Sequence, residues 1–153
     1  MTRFRSDAWL LRGISSIPGE LALNNAILTY TAFGTGSAWP KQLRKLERDV
    51  SRAGIARAID DGERTEVFEW PISELRYWMP WYYFGGGIKL AHGDTTLRFS
   101  FGRPAESGAS AISPEAGLLQ AAANLSETRG MRRAGALWLD VLTTAAAGSH
   151  KNP

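Results

Sequence analysis

The sequence of 153 residues contains no cysteine and only two histidines, His92 and His150. Without cysteine, disulfides and thiolate metal sites are excluded. A zinc or iron site would have to recruit distant carboxylates, because two histidines are fewer than such sites normally use. We therefore expect neither a metal nor another cofactor, and the lack of cysteine fits a reducing compartment.

Long apolar runs are also missing from the sequence. The longest uncharged aromatic run, residues 77–88, is interrupted by Pro80 and by three glycines. It falls well short of the ~20 apolar residues that a membrane-spanning helix needs. The N-terminal stretch has no apolar segment long enough for a signal peptide. These observations predict a cytoplasmic protein, with peripheral attachment at the inner membrane as a further option.

The composition is that of one globular domain, with 44% hydrophobic and 22% charged residues. The formal net charge is +3, and fourteen of the eighteen basic residues are arginine. A mild positive excess is compatible with an anionic partner, although proteins that bind nothing anionic often have it too.

Residues 65–104 carry most of the aromatic side chains and the clearest strand pattern. Residues 88–90 and 97–101 alternate apolar with polar positions, which predicts a half-buried hairpin joined by residues 91–94. The glycines at 85–87 precede a strand and lack the lysine of a phosphate-binding loop, so they predict a bend or bulge.

A second hairpin is predicted earlier in the chain. Residues 20–23 and 26–33 are rich in strand-forming side chains and flank Asn24 and Asn25, which tolerate the positive φ of a tight turn. Residues 15–19 predict a turn ahead of this hairpin.

The strand predicted at residues 65–70 has an irregular alternation. Strict alternation places Glu66 on the same side as Phe68 and Trp70. A glutamate fits poorly on an apolar face, so this strand starts late or lies at an edge of the sheet. Pro71 ends its ladder, because proline cannot donate a hydrogen bond.

Residues 40–61 change to a helical period. Leu43, Leu46 and Val50 fall on one side of a helix that begins at Pro40. The basic residues of the opposite side are Lys41, Arg44, Lys45, Arg48 and Arg52. They lie within an arc of about 100°, and such a basic face can rest on an anionic membrane or contact phosphates.

A C-terminal helical segment is predicted over residues 113–145, beginning at Ser113 and Pro114. Two apolar stripes support it: Leu118, Leu119, Ala122 and Leu125, then Met131, Ala134, Leu137, Trp138, Val141 and Leu142. Gly130 separates the two stripes and is a candidate helix break.

Several segments carry a family resemblance. Residues 19–23 with 27–30 resemble the opening hairpin of GRAM and bacterial pleckstrin-homology-like domains. Residues 67–75 are similar to the strand that follows it, and residues 87–101 resemble the late hairpin before the final helix.

The resemblance implies one mainly β domain with α elements over residues 1–153. It would be a partly open barrel or sandwich of about seven antiparallel strands, with the C-terminal helix packed against it. Residues 40–61 would be a helical insertion between early strands. The early loops at 15–19 and 24–25 contain no lysine or arginine, so the basic cluster with which such domains usually bind phosphoinositides is missing there.

The sequence contains no recognisable catalytic set. His92, beside Gly93 and Asp94, is predicted to be a turn residue, and no nucleophile-elbow sequence accompanies it. The acidic residues at 60–63 lack the ligand spacing of a calcium loop. We expect a non-catalytic binding module. The alternatives are a small hydrolase or metal-dependent enzyme with a site near His92, and a binder of anionic ligands or nucleic acid through the basic helix.

Residues 77–84 offer a second candidate binding surface, with Trp78, Trp81 and Tyr82 as its contact residues. On a regular strand Trp78 and Trp81 point to opposite faces, so at least one needs a loop, a partner or an outer surface. We expect a protein partner or a second copy of the chain, with an anionic membrane surface as the next candidate. Nucleic acid is disfavoured, because basic residues rarely interleave with these aromatics.

Overall fold

The computed structural model describes residues 3–80, 86–102, 130 and 132–146. The strands are β1 (Arg3–Arg12), β2 (Ser15–Asn24), β3 (Ile27–Ala32), β4 (Thr65–Pro71), β5 (Leu75–Trp78), β6 (Gly87–His92) and β7 (Thr95–Ser100). They form one antiparallel sheet in the order β4-β3-β2-β1-β7-β6-β5. The prediction of a mainly β chain with antiparallel strands is confirmed.

Two helices, α1 (Pro40–Val50) and α2 (Ile55–Asp60), lie between β3 and β4, which confirms the helical period predicted over residues 40–61. A left-handed Ser51, with φ of 55°, ends α1. The C-terminal helix α3 is described over residues 132–146, and Gly130 is helical too. The residues just before Gly130 lie outside the described part of the chain, so the candidate break there stays a prediction. The predicted helix start at 113 and the first apolar stripe lie outside the described residues.

The sheet is curled. The strands β4 and β5 are its two edges, yet only the single 3₁₀ turn Ile72–Glu74 connects them. Seven flat strands would put these edges ~29 Å apart, whereas such a connection spans at most roughly 14 Å. Rings of distant strands also meet, since Trp70 of β4 stacks on His92 of β6 with centroids 5.0 Å apart. Among the described strands no hydrogen-bonded ladder joins β4 to β5, so the curled sheet stays open.

Tyr30 lies at the centre of the curl. Its side chain is fully buried, and its hydroxyl donates to the Ile17 carbonyl at 2.7 Å and accepts from the Leu10 N–H at 3.3 Å. A Cβ at Gly19 would lie 2.7 Å from the Tyr30 ring, so that strand position requires glycine. The ring of Phe99 packs edge-on against Tyr30 at 4.9 Å.

Helix α3 packs against the sheet through Trp138 and Leu142, both fully buried, as predicted. The Trp138 indole N–H donates to the Ser6 hydroxyl at 2.7 Å, and its ring meets the edge of Phe4 at 4.8 Å. Leu137, predicted to belong to the same stripe, is 45% exposed. It lies 100° round the helix from Trp138, which turns it away from the sheet. Met131 lies outside the described residues.

The predicted turn at residues 15–19 is wrong, because these residues begin β2. Ser15, Ile17 and Gly19 are buried on alternate positions, as in a regular strand. Pro18 is accommodated because it lies just outside the β2–β3 ladder, which begins at Gly19. The turn between β1 and β2 is Gly13-Ile14 instead.

The predicted face shared by Glu66 with Phe68 and Trp70 is also wrong. The register shifts between Tyr30 and Thr31, so that Tyr30 pairs with Phe68 while Thr31 pairs with Glu66. The extra residue, Val67, forms a β-bulge, and it is buried together with Phe68 while Glu66 is exposed. The prediction that this strand lies at a sheet edge is confirmed.

Two predicted hairpins are confirmed with small shifts of their turns. The β2–β3 turn is Asn25-Ala26, one residue later than predicted, with φ of 51° and 66°. The β6–β7 turn is Gly93-Asp94, and His92 is the last residue of β6 rather than a turn residue.

Candidate functional site

Helix α1 is positioned by its apolar side and exposes its basic side. Leu43 and Leu46 are buried in the core. The exposed cations on the opposite side are Lys41, Arg44, Lys45 and Arg48. The fifth predicted residue, Arg52, lies beyond the end of α1 and bonds the Glu66 carboxylate at 2.9 Å and its carbonyl at 3.2 Å. We call the four cations that remain on α1 the basic face.

Both acidic side chains of α1 are engaged by the scaffold. The Glu47 carboxylate accepts from the backbone N–H of Gly54 at 2.7 Å and of Ala56 at 3.3 Å, at the start of α2. The Asp49 carboxylate pairs with the Arg12 guanidinium at 2.9 Å. No residue of the basic face has an ion pair within the described part of the chain. The helix therefore presents a net positive surface to solvent.

Next to α1, the β1–β2 hairpin exposes an aliphatic side chain at its tip. Gly13 has a φ of 62° at the first position of the two-residue turn, as a type II′ turn requires. Ile14 at the second position is 99% exposed. The turn geometry has no need of a β-branched aliphatic residue there, so Ile14 has no evident structural role.

Trp39, the N-cap residue of α1, is 70% exposed. The helix start relies on Gln42 instead of a polar cap, because the Gln42 side-chain oxygen accepts from the Trp39 N–H at 2.8 Å. The amide nitrogen of Gln42 donates to the Arg12 carbonyl at 3.0 Å. On the other side of the same hairpin, the Ser16 N–H donates to the Ser37 hydroxyl at 2.9 Å.

These contacts bring Trp39 to the hairpin tip. Residues 37 and 42 hold the two strands on either side of the Gly13-Ile14 turn, and Trp39 lies between them in sequence. Two exposed apolar side chains, Ile14 and Trp39, therefore share one end of the molecule with the first turn of α1. We call this pair the apolar tip.

A shallow cleft of about 320 Å³ lies between α1 and α2. Arg44 and Arg57 line it with positive charge, and Glu47 and Asp60 line it with negative charge. The Glu47 carboxylate is already engaged by the backbone at the start of α2. Pro40, Leu43 and Ala56 add apolar surface to its lining, and the cleft lies beside the basic face.

His92 lies apart from α1 and contacts two other side chains. Its Nε2 lies 3.0 Å from the Glu74 carboxylate, and its ring stacks on Trp70. Within the described residues no group of three or more His, Cys, Asp or Glu side chains could hold a metal ion. The structure therefore brings His92 together with one carboxylate and an aromatic ring rather than with a catalytic set.

The aromatic run is only partly described. Trp78 is 41% exposed and pairs with Lys89 at the end of the edge strand β5. Tyr77 is half-buried, with its hydroxyl 3.4 Å from that of Thr143 on α3. Trp81 and Tyr82 lie outside the described residues.

Sequence reasoning had identified the basic face but not the apolar tip. Two local signals were available. Trp39 occupies a helix N-cap, where small polar residues are preferred. Ile14 follows a glycine in a two-residue turn, where a bulky aliphatic side chain is uncommon. Neither signal shows that the two residues are neighbours, since that depends on contacts of Gln42 and Ser37 with the hairpin.

The chain matches no protein-family model, and searches of curated proteins and of solved structures found no significant match. In the described part of the chain, no helix is long and apolar enough to cross a membrane.

Proposed function

We propose that this chain is a non-catalytic binding module that associates with an anionic membrane surface through the basic face. The observation that carries the proposal is the division of charge on α1. Glu47 and Asp49 are engaged by the scaffold, while the four cations are exposed and have no ion pair within the described residues. A charged surface without internal partners is complementary to anionic lipid headgroups.

The strength expected from this surface is moderate. Each Lys or Arg near an anionic leaflet contributes about 1 kcal/mol, so four contribute about 4 kcal/mol, or roughly 10³-fold in affinity. Screening weakens such an interaction as salt rises, since the Debye length is only about 8 Å at physiological ionic strength. The module would bind reversibly and would respond strongly to salt.

A pleckstrin-homology-like or GRAM-like fold is part of the proposal. The seven antiparallel strands and the C-terminal helix agree with what the resemblance implies. Neither early hairpin turn supplies the usual basic cluster. The β2–β3 turn is Asn25-Ala26, and beside the β1–β2 turn Arg12 is largely buried and paired with Asp49. On this proposal the helical insertion supplies the charge that these turns lack.

The test is sedimentation with vesicles of phosphatidylcholine alone and of phosphatidylcholine mixed with phosphatidylserine. Wild-type protein should sediment with the mixed vesicles at low salt and much less at physiological salt. Replacing all four residues of the basic face with glutamine should weaken binding by on the order of 100- to 1,000-fold.

The matched control replaces four exposed arginines outside α1 with glutamine: Arg5, Arg76, Arg98 and Arg133. It changes the net charge by the same amount and should weaken binding much less. Equal losses in the two variants would show a non-specific charge effect. No sedimentation of the wild type at low salt would overturn the proposal.

A second candidate function is self-association or protein binding through β5. The observation that favours it is the exposure of Trp78 on a sheet edge, where unpaired backbone groups can accept another strand. Light scattering distinguishes this function for the isolated chain. A molar mass of twice that of the chain, which falls to the mass of one chain in the Trp78→Gln variant, would support it. A monomer at all concentrations would contradict self-association.

A further inference from the structure

We infer that Ile14 and Trp39, the apolar tip, insert into the boundary between headgroups and acyl chains when the basic face meets an anionic bilayer. This inference rests on the proposed function and adds to it. Charge would bring the module to the surface, and the two apolar side chains would hold it there.

The first step of the argument is that the two residues form one feature. The side chain of Gln42 joins the Trp39 N–H to the Arg12 carbonyl, and Ser37 bonds Ser16 on the neighbouring strand. The hairpin tip is thus held between residues on either side of Trp39. Both apolar side chains move with the folded domain, so their insertion would require no ordering of a loose segment.

The second step is that neither side chain contributes to the core. Ile14 is 99% exposed and Trp39 is 70% exposed, the two highest values among the large hydrophobic residues described. Aliphatic side chains gain from leaving water, and tryptophan is favoured at the headgroup level of membranes. Full burial of one isoleucine is worth about tenfold to a hundredfold in affinity.

The third step is that cations flank the apolar tip. Gln42 and Asp49 both contact β1, so they mark the side of α1 that faces the hairpin. At ~100° per residue, Lys45 lies about 50° and Lys41 about 90° round the helix from that side. An apolar tip with lysines beside it matches the layered chemistry of an anionic bilayer, with acyl chains below phosphates.

The absence of cysteine provides a direct test. Ile14→Cys introduces a unique thiol at an exposed turn, which can carry an environment-sensitive fluorophore. Binding to phosphatidylserine-containing vesicles should shift its emission to the blue, and nitroxide-labelled lipids should quench it. The same label at Asn24→Cys, at the opposite end of β2 and about 30 Å away, should show neither change.

Sedimentation of a double variant, Ile14→Ser with Trp39→Gln, gives the second readout. We expect binding to weaken at least tenfold, and the loss should persist at high salt because it does not arise from charge. The matched control is Ile27→Ser with Leu137→Gln, which removes two other exposed apolar side chains. It should bind as the wild type does.

The outcomes separate the inference from the proposed function. The proposed function is supported if the wild type sediments and the basic-face variant does not. If, in the same experiments, the label at residue 14 stays in water and the double variant binds normally, the apolar tip is not inserted. The proposed function would then stand alone. If the wild type fails to sediment at low salt, the proposed function itself fails. Quenching at residue 14 together with a loss of binding in the double variant supports the inference.

Discussion

Two regions of the molecule differ in how their apolar and polar side chains are placed. One is the interior around Tyr30, and the other is the end that carries the apolar tip and the basic face. In the interior the aromatic rings are packed, and among the described residues no buried side-chain polar atom lacks a partner. At the tip, Ile14 and Trp39 are in solvent and four cations have no ion pair in the described chain. The contrast teaches that the packed core and the proposed binding surface use separate residues, which can be changed independently.

Among changes to the interior, we expect the largest loss of stability from Trp138→Ala. It removes a fully buried indole from between α3 and the sheet, so we expect the free energy of unfolding to fall by about 3–5 kcal/mol. Denaturation in urea at neutral pH measures the change. The neighbouring Leu137→Ala, on an exposed position, should change stability by at most about 0.5 kcal/mol. Similar losses in both variants would mean that α3 does not pack through Trp138.

A smaller loss is expected from Tyr30→Phe, which tests the buried hydrogen bonds of the hydroxyl rather than the packing of the ring. Removing the hydroxyl leaves the Leu10 N–H and the Ile17 carbonyl without this partner, so stability should fall by about 1–3 kcal/mol. Tyr77→Phe is the matched control, because within the described residues its hydroxyl makes one long contact, at the surface. An equal effect at both tyrosines would contradict the role assigned to the buried network.

The pH dependence of stability gives an independent measure of the same site. Burial raises the pKa of Tyr30 above its usual value near 10. The folded state therefore retains this proton at a pH where the unfolded state has lost it. The contribution is complete below pH 10 and decreases as pH rises above it, by up to about 1.4 kcal/mol per unit. Urea denaturation of wild type and Tyr30→Phe should show the extra slope only in the wild type.

The β2–β3 turn offers a stabilising change. Ala26 has a φ of 66°, a conformation that glycine adopts without a Cβ penalty. Ala26→Gly should therefore raise the free energy of unfolding by about 0.5–1 kcal/mol. Ala22→Gly in the middle of β2 should lower it, since glycine weakens a strand interior. If Ala26→Gly destabilises the protein, the turn is not left-handed at that residue.

The smallest expected effect concerns the tip itself. Ile14→Ser and Trp39→Gln remove exposed side chains, so each should change the free energy of unfolding by no more than about 0.5 kcal/mol. Thermal or urea denaturation measures this, and it also shows that a loss of vesicle binding does not come from unfolding. A loss of stability comparable with Tyr30→Phe would make the tip part of the scaffold.

Much of the fold could be predicted because its signals are local. Alternation identified the β6–β7 hairpin, and the helical period together with Pro40 identified α1 and its basic side. The errors occurred where pairing with a neighbouring strand overrides local pattern. The bulge at Val67 reverses the faces of β4, and β2 continues through residues 15–19 that resemble a turn in isolation.

The candidate site was predictable only in its composition. The pattern of residues 40–50 determines an amphipathic helix with cations on one side, because that arrangement follows from the spacing of side chains along 3.6 residues per turn. Which charges stay free depends on long-range contacts, such as the one between Arg12 and Asp49. The placement of Ile14 and Trp39 at one end of the molecule likewise depends on the hydrogen bonds of Gln42 and Ser37 to the β1–β2 hairpin. Such contacts join residues far apart in sequence, so no local pattern encodes them.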